Sequence, residues 1–231
     1  MITVQNLSKS FGQQEVLSEL TFSAAAGCVT LLVGRNGMGK TTTMRMLAGL
    51  LRPDAGDALL NGRSIVHDRI CAQQSLAFLP QGVAFHPRLT CREVLDFYGR
   101  LRGVKGAADM LKRVGLEEHA GKPVSKLSGG LRQRLGIGVL LLAGSPVLLL
   151  DEPGLSLDPE WREWLKEELK LEAQRGKTVL VTTHFLAEWE GVAGRCLLVK
   201  NGGRVDELNP ARIREEYHFV KNQELLHDSL Y

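Results

Sequence analysis

The segment Gly34-Arg-Asn-Gly-Met-Gly-Lys-Thr41 constrains this chain more than any other feature, because it matches the pattern GxxxxGK[ST]. An apolar run, VTLLV, precedes it, and a segment with apolar residues at helical spacing, TTTMRMLAGLL, follows it. A strand, a glycine turn and a helix in this order are the context in which the pattern predicts a phosphate-binding loop. The glycines let the backbone curl, so that its N–H groups converge on phosphate oxygens at the positive end of the helix.

Two side chains of this loop carry predicted chemistry. Lys40 is predicted to neutralise the β- and γ-phosphates of a nucleotide and so to take part in catalysis, and the hydroxyl of Thr41 is placed to bind Mg²⁺, which prefers oxygen ligands. A glycine-rich turn that binds nothing is the plain alternative, and the flanking strand and helix disfavour it. The predicted nucleotide contacts in and beside the loop are Gly34, Asn36, Gly37, Met38, Gly39, Lys40, Thr41 and Thr42.

The composition excludes several classes of protein. Of 231 residues, 44% are hydrophobic and 24% are charged, which argues against a disordered or fibrous chain. Lys plus Arg number 29 and Asp plus Glu 26, and a net charge of +3 lacks the basic surplus of a nucleic-acid-binding protein, so no nucleic acid partner is expected. The four cysteines are scattered without a CxxC pair, which is typical of reduced structural thiols.

The sequence also bears on location. The first ten residues lack the positive-then-apolar pattern of a secretion signal. The longest uncharged run, Leu135–Leu150, contains Gly, Ser and Pro and falls short of the about 20 apolar residues that a membrane span needs. We therefore expect a cytoplasmic protein whose contact with a membrane comes through a partner.

Apolar runs and segments with helical spacing alternate along the chain. Runs typical of strands are ITVQNLS, EVLSELTF, VTLLVG, SLAFLPQ, PVLLLDE and TVLVTTH, and RCLLVKNGGRV is typical of a strand-turn-strand. Strands that alternate with helices predict a parallel sheet with crossover connections. We therefore expect an α/β fold, namely a P-loop NTPase core with a parallel central sheet, an N-terminal antiparallel β lobe and a helical insertion.

Several helices have start signals of their own. Thr90 is followed three residues later by Glu93, which predicts a capping box, and Asp158 is predicted to cap a helix with Pro159 in its first turn. The other predicted helices lie after the phosphate-binding loop up to about Leu51, near Met110–Val114, near Leu131, from about Phe185 and from Asn209.

Asp151 and Glu152 end the apolar run PVLLLDE. Ligands of open α/β folds collect at the carboxyl edge of the sheet, where both carboxylates are expected to emerge. Asp151 is predicted to hold Mg²⁺, commonly through water, and Glu152 to polarise the attacking water as a general base. The alternative is a strand end that carries two solvated acids.

A second anion site is predicted at Leu127-Ser-Gly-Gly130, which stands at the start of a helix and is followed by LRQR. One chain seldom needs two phosphate cradles for one nucleotide, unless the second serves a neighbouring subunit. As a lone tetrapeptide, LSGG is only a weak helix-cap signal. Its position between the phosphate-binding loop and VLLLDE makes the chain resemble the ATP-binding cassette family, whose signature is LSGG with RQR.

The resemblance implies a nucleotide-binding domain that works as a head-to-tail dimer with ATP and Mg²⁺, in which Ser128, Gly129 and Gly130 of one copy close on the γ-phosphate held by the other. It further implies that Phe11 stacks on adenine, Gln81 faces the magnesium ion and a membrane subunit, Asp158 is an acid of the loop between subunits, and His184 contacts the γ-phosphate. The plainer alternatives are a core aromatic, a turn residue, a helix cap and a satisfied histidine, respectively.

The resemblance covers about the first 205 residues. It implies an ATP-binding cassette domain over residues 1–205, with a helical subdomain at about 82–145 inserted in it, and a C-terminal helix and tail over 206–231. Two positions depart from the family pattern. Met38 replaces a small residue, although its backbone N–H remains, and Leu155 stands where small polar residues are common.

The segments TTTMRMLAGLLRPDAG and LTCREVLDFYGRLRG resemble those of ATPase subunits of bacterial exporters for drugs, polysaccharides or cofactors. The resemblance implies that two copies dock on integral membrane permease subunits at the cytoplasmic face of the inner membrane. The segment Gln81–Gly106 is the predicted docking face, and a plain solvated helix is its alternative.

Three other functions stay open at this point. A soluble cassette ATPase that acts on ribosomes or DNA typically has two fused cassettes or a long coiled coil, and neither a second GxxxxGKT nor a sustained heptad run is present. An ATPase that drives a membrane-protein assembly without transport has the same motifs. A GTP-binding switch or small-molecule kinase explains the phosphate-binding loop but not LSGG, and no NKxD motif is present.

Overall fold

The computed structural model describes residues 1–183, 186–212 and 215. In these residues the strands are β1 (Ile2–Phe11), β2 (Gln14–Ala24), β3 (Cys28–Val33), β4 (Ala55–Leu60), β5 (Arg63–Ser64), β6 (Leu76–Leu79), β7 (Val147–Asp151), β8 (Thr178–Thr182), β9 (Arg195–Val199) and β10 (Val205–Leu208). The α-helices are α1 (Lys40–Leu47), α2 (Arg69–Gln74), α3 (Cys91–Arg102), α4 (Ala107–Arg113), α5 (Gly129–Leu142) and α6 (Pro159–Gln174).

The first sheet is antiparallel, with the strand order β2-β1-β4-β5. Strands β4 and β5 were not predicted from the sequence. The reason lies at Gly56, which resembles a strand breaker but has a φ of 77° and lies so close to β1 that an added Cβ would be 2.2 Å from the Asn6 carbonyl oxygen. A glycine is therefore required for β4 to pair with β1 at this point.

The second sheet has the order β10-β9-β3-β8-β7-β6, in which β9, β3, β8, β7 and β6 are parallel and β10 pairs antiparallel with β9. Strands β7 and β8 are buried along their whole length, because apolar clusters cover both faces of the sheet. The carboxyl ends of the parallel strands meet at one edge, which brings together the loops after β3, β6, β7 and β8. The predicted division at residue 205 falls in the β9–β10 hairpin.

Helices α3, α4 and α5 lie between β6 and β7 in the chain. The predicted capping box at the start of α3 is confirmed, since the Thr90 hydroxyl accepts from the Glu93 N–H and the Glu93 carboxylate accepts from the Thr90 N–H. The predicted cap of α6 is also confirmed, because Asp158 Oδ1 accepts from the Trp161 N–H at 2.9 Å. Each cap depends on residues within three positions of one another, so it can be predicted from the sequence.

Helix α5 contains buried glycines for a packing reason. An added Cβ at Gly136 would lie 2.9 Å from side-chain carbons of Leu79 and Val83, and at Gly138 it would lie 3.4 Å from the Met110 side chain. The glycines therefore let α5 approach β6 and α4 closely.

Three predicted helices differ in extent or type. Helix α1 ends at Leu47, because Gly49 has a φ of 68° and its N–H bonds back to Met46. Leu186–Trp189 and Pro210–Arg212 form single 3₁₀ turns, and Phe185 lies outside the described residues. Among the residues that the structure covers, no helix is both long and apolar enough to traverse a bilayer.

A buried ion cluster joins α4 to α6. The guanidinium of Arg113 donates to Glu168 at 2.7 Å and to Glu172 at 2.9 Å, and the ammonium of Lys177 pairs with Glu172. Burial by itself raises the pKa of Glu172, but the hydrogen bonds and charges of Lys177 and Arg113 outweigh it and hold that pKa below its ordinary value. The charged form of Glu172 therefore stabilises the fold.

Glu172→Gln is expected to lower the free energy of unfolding at pH 7 by about 2 kcal/mol, because Arg113, Arg175 and Lys177 all pair with this buried carboxylate. The folded-state pKa of Glu172 is lowered, so this contribution is present above the unfolded-state pKa of about 4.3 and is lost as the pH falls through the lower folded-state pKa. Urea unfolding at pH 7 and at pH 4 measures both effects. The exposed Glu167→Gln on the same helix is the control, and equal losses in the two variants would contradict the prediction.

Candidate nucleotide site

The phosphate-binding loop connects β3 to α1, and its glycines have backbone angles that other residues rarely adopt. The φ angles are 152° at Gly34, 87° at Gly37 and 81° at Gly39. Space is also restricted, since an added Cβ would lie 2.6 Å from the Val199 carbonyl oxygen at Gly34 and 2.5 Å from the Leu17 side chain at Gly39. The curl of the loop therefore depends on glycine at these positions.

Lys40 lies inside the loop. It is buried, and its Nζ donates to the carbonyl oxygens of Gly34 at 2.8 Å and Arg35 at 3.0 Å. Burial lowers the pKa of Lys40, while the negative charges of Glu152 and Asp151 oppose that effect. The ammonium group is thus held at the base of the loop, in the electrostatic field of both acids.

An open cavity of about 490 Å³ lies over the loop. Gln81, from the loop after β6, and Glu152, from the end of β7, share its lining with the phosphate-binding loop. The residues that line it are Gln14, Val16, Asn36, Gly37, Gly39, Lys40, Thr41, Thr42, Gln81 and Glu152. Gln14 and Val16 were not predicted, because only the packing of β2 against the loop places them there.

Asp151 and Glu152 are both buried, with exposed fractions of 2% and 4%. Asp151 Oδ1 accepts a hydrogen bond from the hydroxyl of Thr182 at 2.6 Å. Glu152 has a φ of 51°, a left-handed conformation that is uncommon outside glycine and clusters at functional sites. The alternative of a strand end with two solvated acids is therefore wrong.

The donors near the cavity fit Mg²⁺ chemically. The Thr41 hydroxyl and the Gln81 amide belong to residues of its lining, and the Asp151 carboxylate lies close enough to act on the charge of Lys40. All three supply hard oxygen ligands, and magnesium in nucleotide sites takes its remaining ligands from water and phosphate. The described residues contain no cluster of three or more His, Cys, Asp or Glu that could hold a metal ion.

Ser128 and Gly129 are exposed at the start of α5, and they do not belong to the lining of the cavity. Ser128 Oγ caps the helix by accepting from the Leu131 N–H at 3.3 Å. Gly130 packs on the Asp158 loop, where an added Cβ would lie 2.9 Å from the Ser156 carbonyl oxygen. The structure therefore separates the LSGG turn from the phosphate-binding loop of the same chain.

The remaining predicted residues are also outside the lining of the cavity. Phe11 ends β1 and is 51% exposed, with Lys9 Nζ 5.7 Å from its ring centroid, so the alternative of a core aromatic is wrong. Asp158 is exposed at the cap of α6. His184 lies outside the described residues.

One residue of the site region had no assigned role in the sequence analysis. Gln133 of α5 is buried, and its Nε2 donates to the carbonyl oxygen of Pro153 at 2.8 Å. The only signal was an amide between Arg132 and Arg134 in the LRQR segment, which does not by itself predict burial. Gln133 ties the LSGG helix to the residue that follows Glu152.

The sequence is also similar to those of known proteins. A sequence model of the family described as ABC transporter matches residues 17–154. This chain belongs to the ABC transporter family. The Nod factor export ATP-binding protein I of Burkholderia lata is 37% identical over 220 residues, which cover 93% of this chain and 72% of that protein. The linearmycin resistance ATP-binding protein LnrL of Bacillus subtilis is 33% identical over 208 residues, which cover 87% of this chain and 67% of LnrL.

Solved structures of cassettes resemble this ABC ATPase along nearly its whole length. An ATP-binding subunit of an ABC transporter superposes with a TM-score of 0.85 at 27% identity. The alignment covers 94% of this chain and 93% of that subunit. The dimeric cassette MJ0796, in a post-hydrolysis state bound to ADP and Pi, superposes with a TM-score of 0.79 at 26% identity. The alignment covers 90% of this chain and 99% of the MJ0796 chain. The predicted α/β cassette fold with its antiparallel N-terminal sheet is confirmed.

The family and these relatives also confirm the predicted activity. This ABC ATPase binds and hydrolyses ATP, and it is the ATP-hydrolysing subunit that powers a membrane transporter. The relatives support that function over the three alternatives that the sequence left open. Dimeric neighbours among the cassettes support self-association.

Proposed function

We propose that two copies of this ABC ATPase pair head to tail, so that ATP lies between the phosphate-binding loop of one copy and the Ser128 turn of the other. The observation that carries this proposal is the separation of the two within one chain: Ser128 and Gly129 are exposed and outside the cavity lining. Helix α5 is 14 residues long, so its N-terminus presents free N–H groups and positive partial charge. A second copy gives that end an anion to bind, the γ-phosphate.

The phosphate-binding loop and the two acids divide the chemistry in this proposal. The Lys40 ammonium and the N–H groups of Gly37, Gly39, Lys40 and Thr41 neutralise and orient the phosphates. Gly34, Asn36, Met38 and Thr42 complete the loop around them. Glu152 accepts a proton from water as the water oxygen bonds to the γ-phosphorus and the bond to the bridging oxygen breaks. Thr41, Gln81 and Asp151 would hold Mg²⁺, which when bound supplies positive charge to the β- and γ-phosphate oxygens.

Residues at the periphery complete the proposed site. The exposed ring of Phe11 stacks on adenine, and its position at the end of β1, near Gln14 of the cavity lining, supports this role. His184 contacts the γ-phosphate, and Gly130 with Asp158 belongs to the surface that meets the second copy. Hydrolysis removes the γ-phosphate charge that both copies contact, so the closed pair is no longer more stable than the open pair.

We further propose that an integral membrane permease docks on α3 and the loop from Gln81 that precedes it. Phe97 and Leu101, four residues apart on one face of α3, are 50% and 66% exposed. Gln81 belongs to the lining of the nucleotide cavity, so a partner bound at this segment senses the nucleotide. The name of one relative, the Nod factor export ATP-binding protein I, favours export. In this proposal the ATPase is peripheral on the cytoplasmic face of the inner membrane, because its membrane contact comes through the permease.

The double variant Phe97→Glu/Leu101→Glu tests the docking face. Tagged wild-type chain, captured from detergent-solubilised membranes, is expected to co-purify with a polytopic membrane protein. With the double variant, the amount of that membrane protein is expected to fall by about tenfold. The ATPase rate of the double variant without the partner is expected to stay within about twofold of the wild-type rate. Leu171→Glu, also at an exposed leucine, is the control on α6. Undiminished capture by the double variant contradicts the docking face, and ribosomes or DNA in place of a membrane protein contradict the transporter partner.

A further inference from the structure

Thr182, the last residue of β8, lies between the two acids of the site. It is fully buried and pairs with Asp151 in the parallel register of β7 and β8. Its hydroxyl donates to Asp151 Oδ1 at 2.6 Å and accepts from the Glu152 N–H at 2.9 Å. One hydroxyl thus bonds to the side chain of the first acid and to the backbone of the second.

The bond to Glu152 falls where the backbone most needs support. Glu152 has a φ of 51°, and this conformation costs a non-glycine residue about 1 kcal/mol or more, so it persists only where the surrounding structure holds it. The Glu152 N–H lies 2.9 Å from the Thr182 hydroxyl oxygen and 3.2 Å from the Thr182 carbonyl oxygen. Both contacts come from one residue of the neighbouring strand.

The bond to Asp151 constrains the other acid. Asp151 is 2% exposed, so its carboxylate has little access to solvent and depends on protein donors for its orientation. The neighbouring residues of β8, Val179, Leu180 and Val181, are apolar and fully buried. A hydroxyl buried at the end of this strand therefore costs free energy unless it forms hydrogen bonds. The Thr182 hydroxyl forms two, one as a donor and one as an acceptor.

We propose that Thr182 is a positioning residue for ATP hydrolysis: its hydroxyl fixes the Asp151 carboxylate and holds the Glu152 backbone so that the Glu152 side chain stays in the nucleotide cavity. This inference rests on the roles proposed above for Asp151 and Glu152. Thr182 itself touches neither nucleotide nor water in the reaction. Its effect passes through the two acids.

The same strand provides a matched control. Thr178 begins β8 and is also fully buried, but its hydroxyl has no hydrogen-bond partner within the described residues. Thr178→Val and Thr182→Val are therefore the same isosteric change at the two ends of one strand. The two differ in that only Thr182 loses bonds to the acids.

The experiment measures kcat and KM for ATP, the Mg²⁺ concentration for half-maximal rate, and the affinity for a fluorescent ATP analogue in EDTA. Thr182→Val is expected to lower kcat by about tenfold and to raise the half-maximal Mg²⁺ concentration several-fold, because misplaced catalytic groups cost rate. Its affinity for the analogue without Mg²⁺ is expected to stay within about twofold. Thr182→Ser keeps the hydroxyl and is expected to restore most of kcat, and Thr178→Val to match the wild type.

Three results would overturn the inference: a kcat for Thr182→Val within twofold of the wild type, a Thr182→Ser variant as slow as Thr182→Val, or an equal loss in Thr178→Val. Circular dichroism verifies that each variant folds. If Thr182→Val does not fold, the kcat of Thr182→Ala is compared with that of Thr182→Ser, because these two variants also differ in the hydroxyl at position 182. Glu152→Gln is measured in parallel. If that variant turns over normally, the proposed base is wrong, whereas a slow Glu152→Gln with a normal Thr182→Val overturns this inference alone.

Discussion

Glu152→Gln is expected to lower ATP turnover of this ABC ATPase by at least about 100-fold while ATP binding remains intact. An amide cannot accept the proton of the attacking water, but it has the shape of the carboxylate that it replaces. Glu152 is 4% exposed and its N–H is bonded to Thr182, so the backbone is expected to keep its conformation. With hydrolysis stopped, ATP stays between the two copies and the closed pair accumulates.

Single-turnover hydrolysis measures the loss of rate, and size-exclusion chromatography with Mg-ATP measures the pair, which is expected to elute at twice the mass of the chain. Glu160→Gln, at an exposed acid in the first turn of α6, is the control and should behave as the wild type. Turnover near the wild-type rate in Glu152→Gln would contradict its assignment as the base.

Mixing two inactive variants is expected to restore activity. Lys40→Met removes the buried charge of the phosphate-binding loop, and Ser128→Arg places a bulky cation on the turn that meets the other copy. Each variant alone is expected to hydrolyse ATP at below about 1% of the wild-type rate. An equal mixture is expected to recover about a quarter of that rate, because half of randomly paired dimers carry one intact composite site.

The recovery is measured as steady-state ATP hydrolysis after the two variants are mixed at equal concentration. Ser125→Arg, at an exposed position three residues before the turn, controls for an added surface cation and should be active alone. A mixture no more active than its components, with both variants folded, would contradict the shared site. So would a wild-type chain that hydrolyses ATP at full rate as a strict monomer.

The local chemistry of this protein could be predicted from its sequence. The phosphate-binding loop, the capping box at Thr90 and the cap at Asp158 depend on residues within a few positions of one another, and the structure has the caps as predicted. The apolar run PVLLLDE was predicted as a strand from its own residues, and it forms β7, which is buried along its whole length. Strand β4 was not predicted, because Gly56 gives no local signal for a strand.

The long-range arrangement was decided by the tertiary structure alone. Thr182 meets Asp151 across 31 positions of sequence, and Gln133 meets Pro153 across 20. Gln14 and Val16 join the cavity through the packing of β2. Composition, spacing and caps describe single elements, whereas strand order and register determine which distant side chains share one edge of a sheet. The sequence by itself determined the chemistry of the nucleotide loop, and the pairing of β7 with β8 decided which hydroxyl holds its acids, because that contact exists only once the two strands are in register.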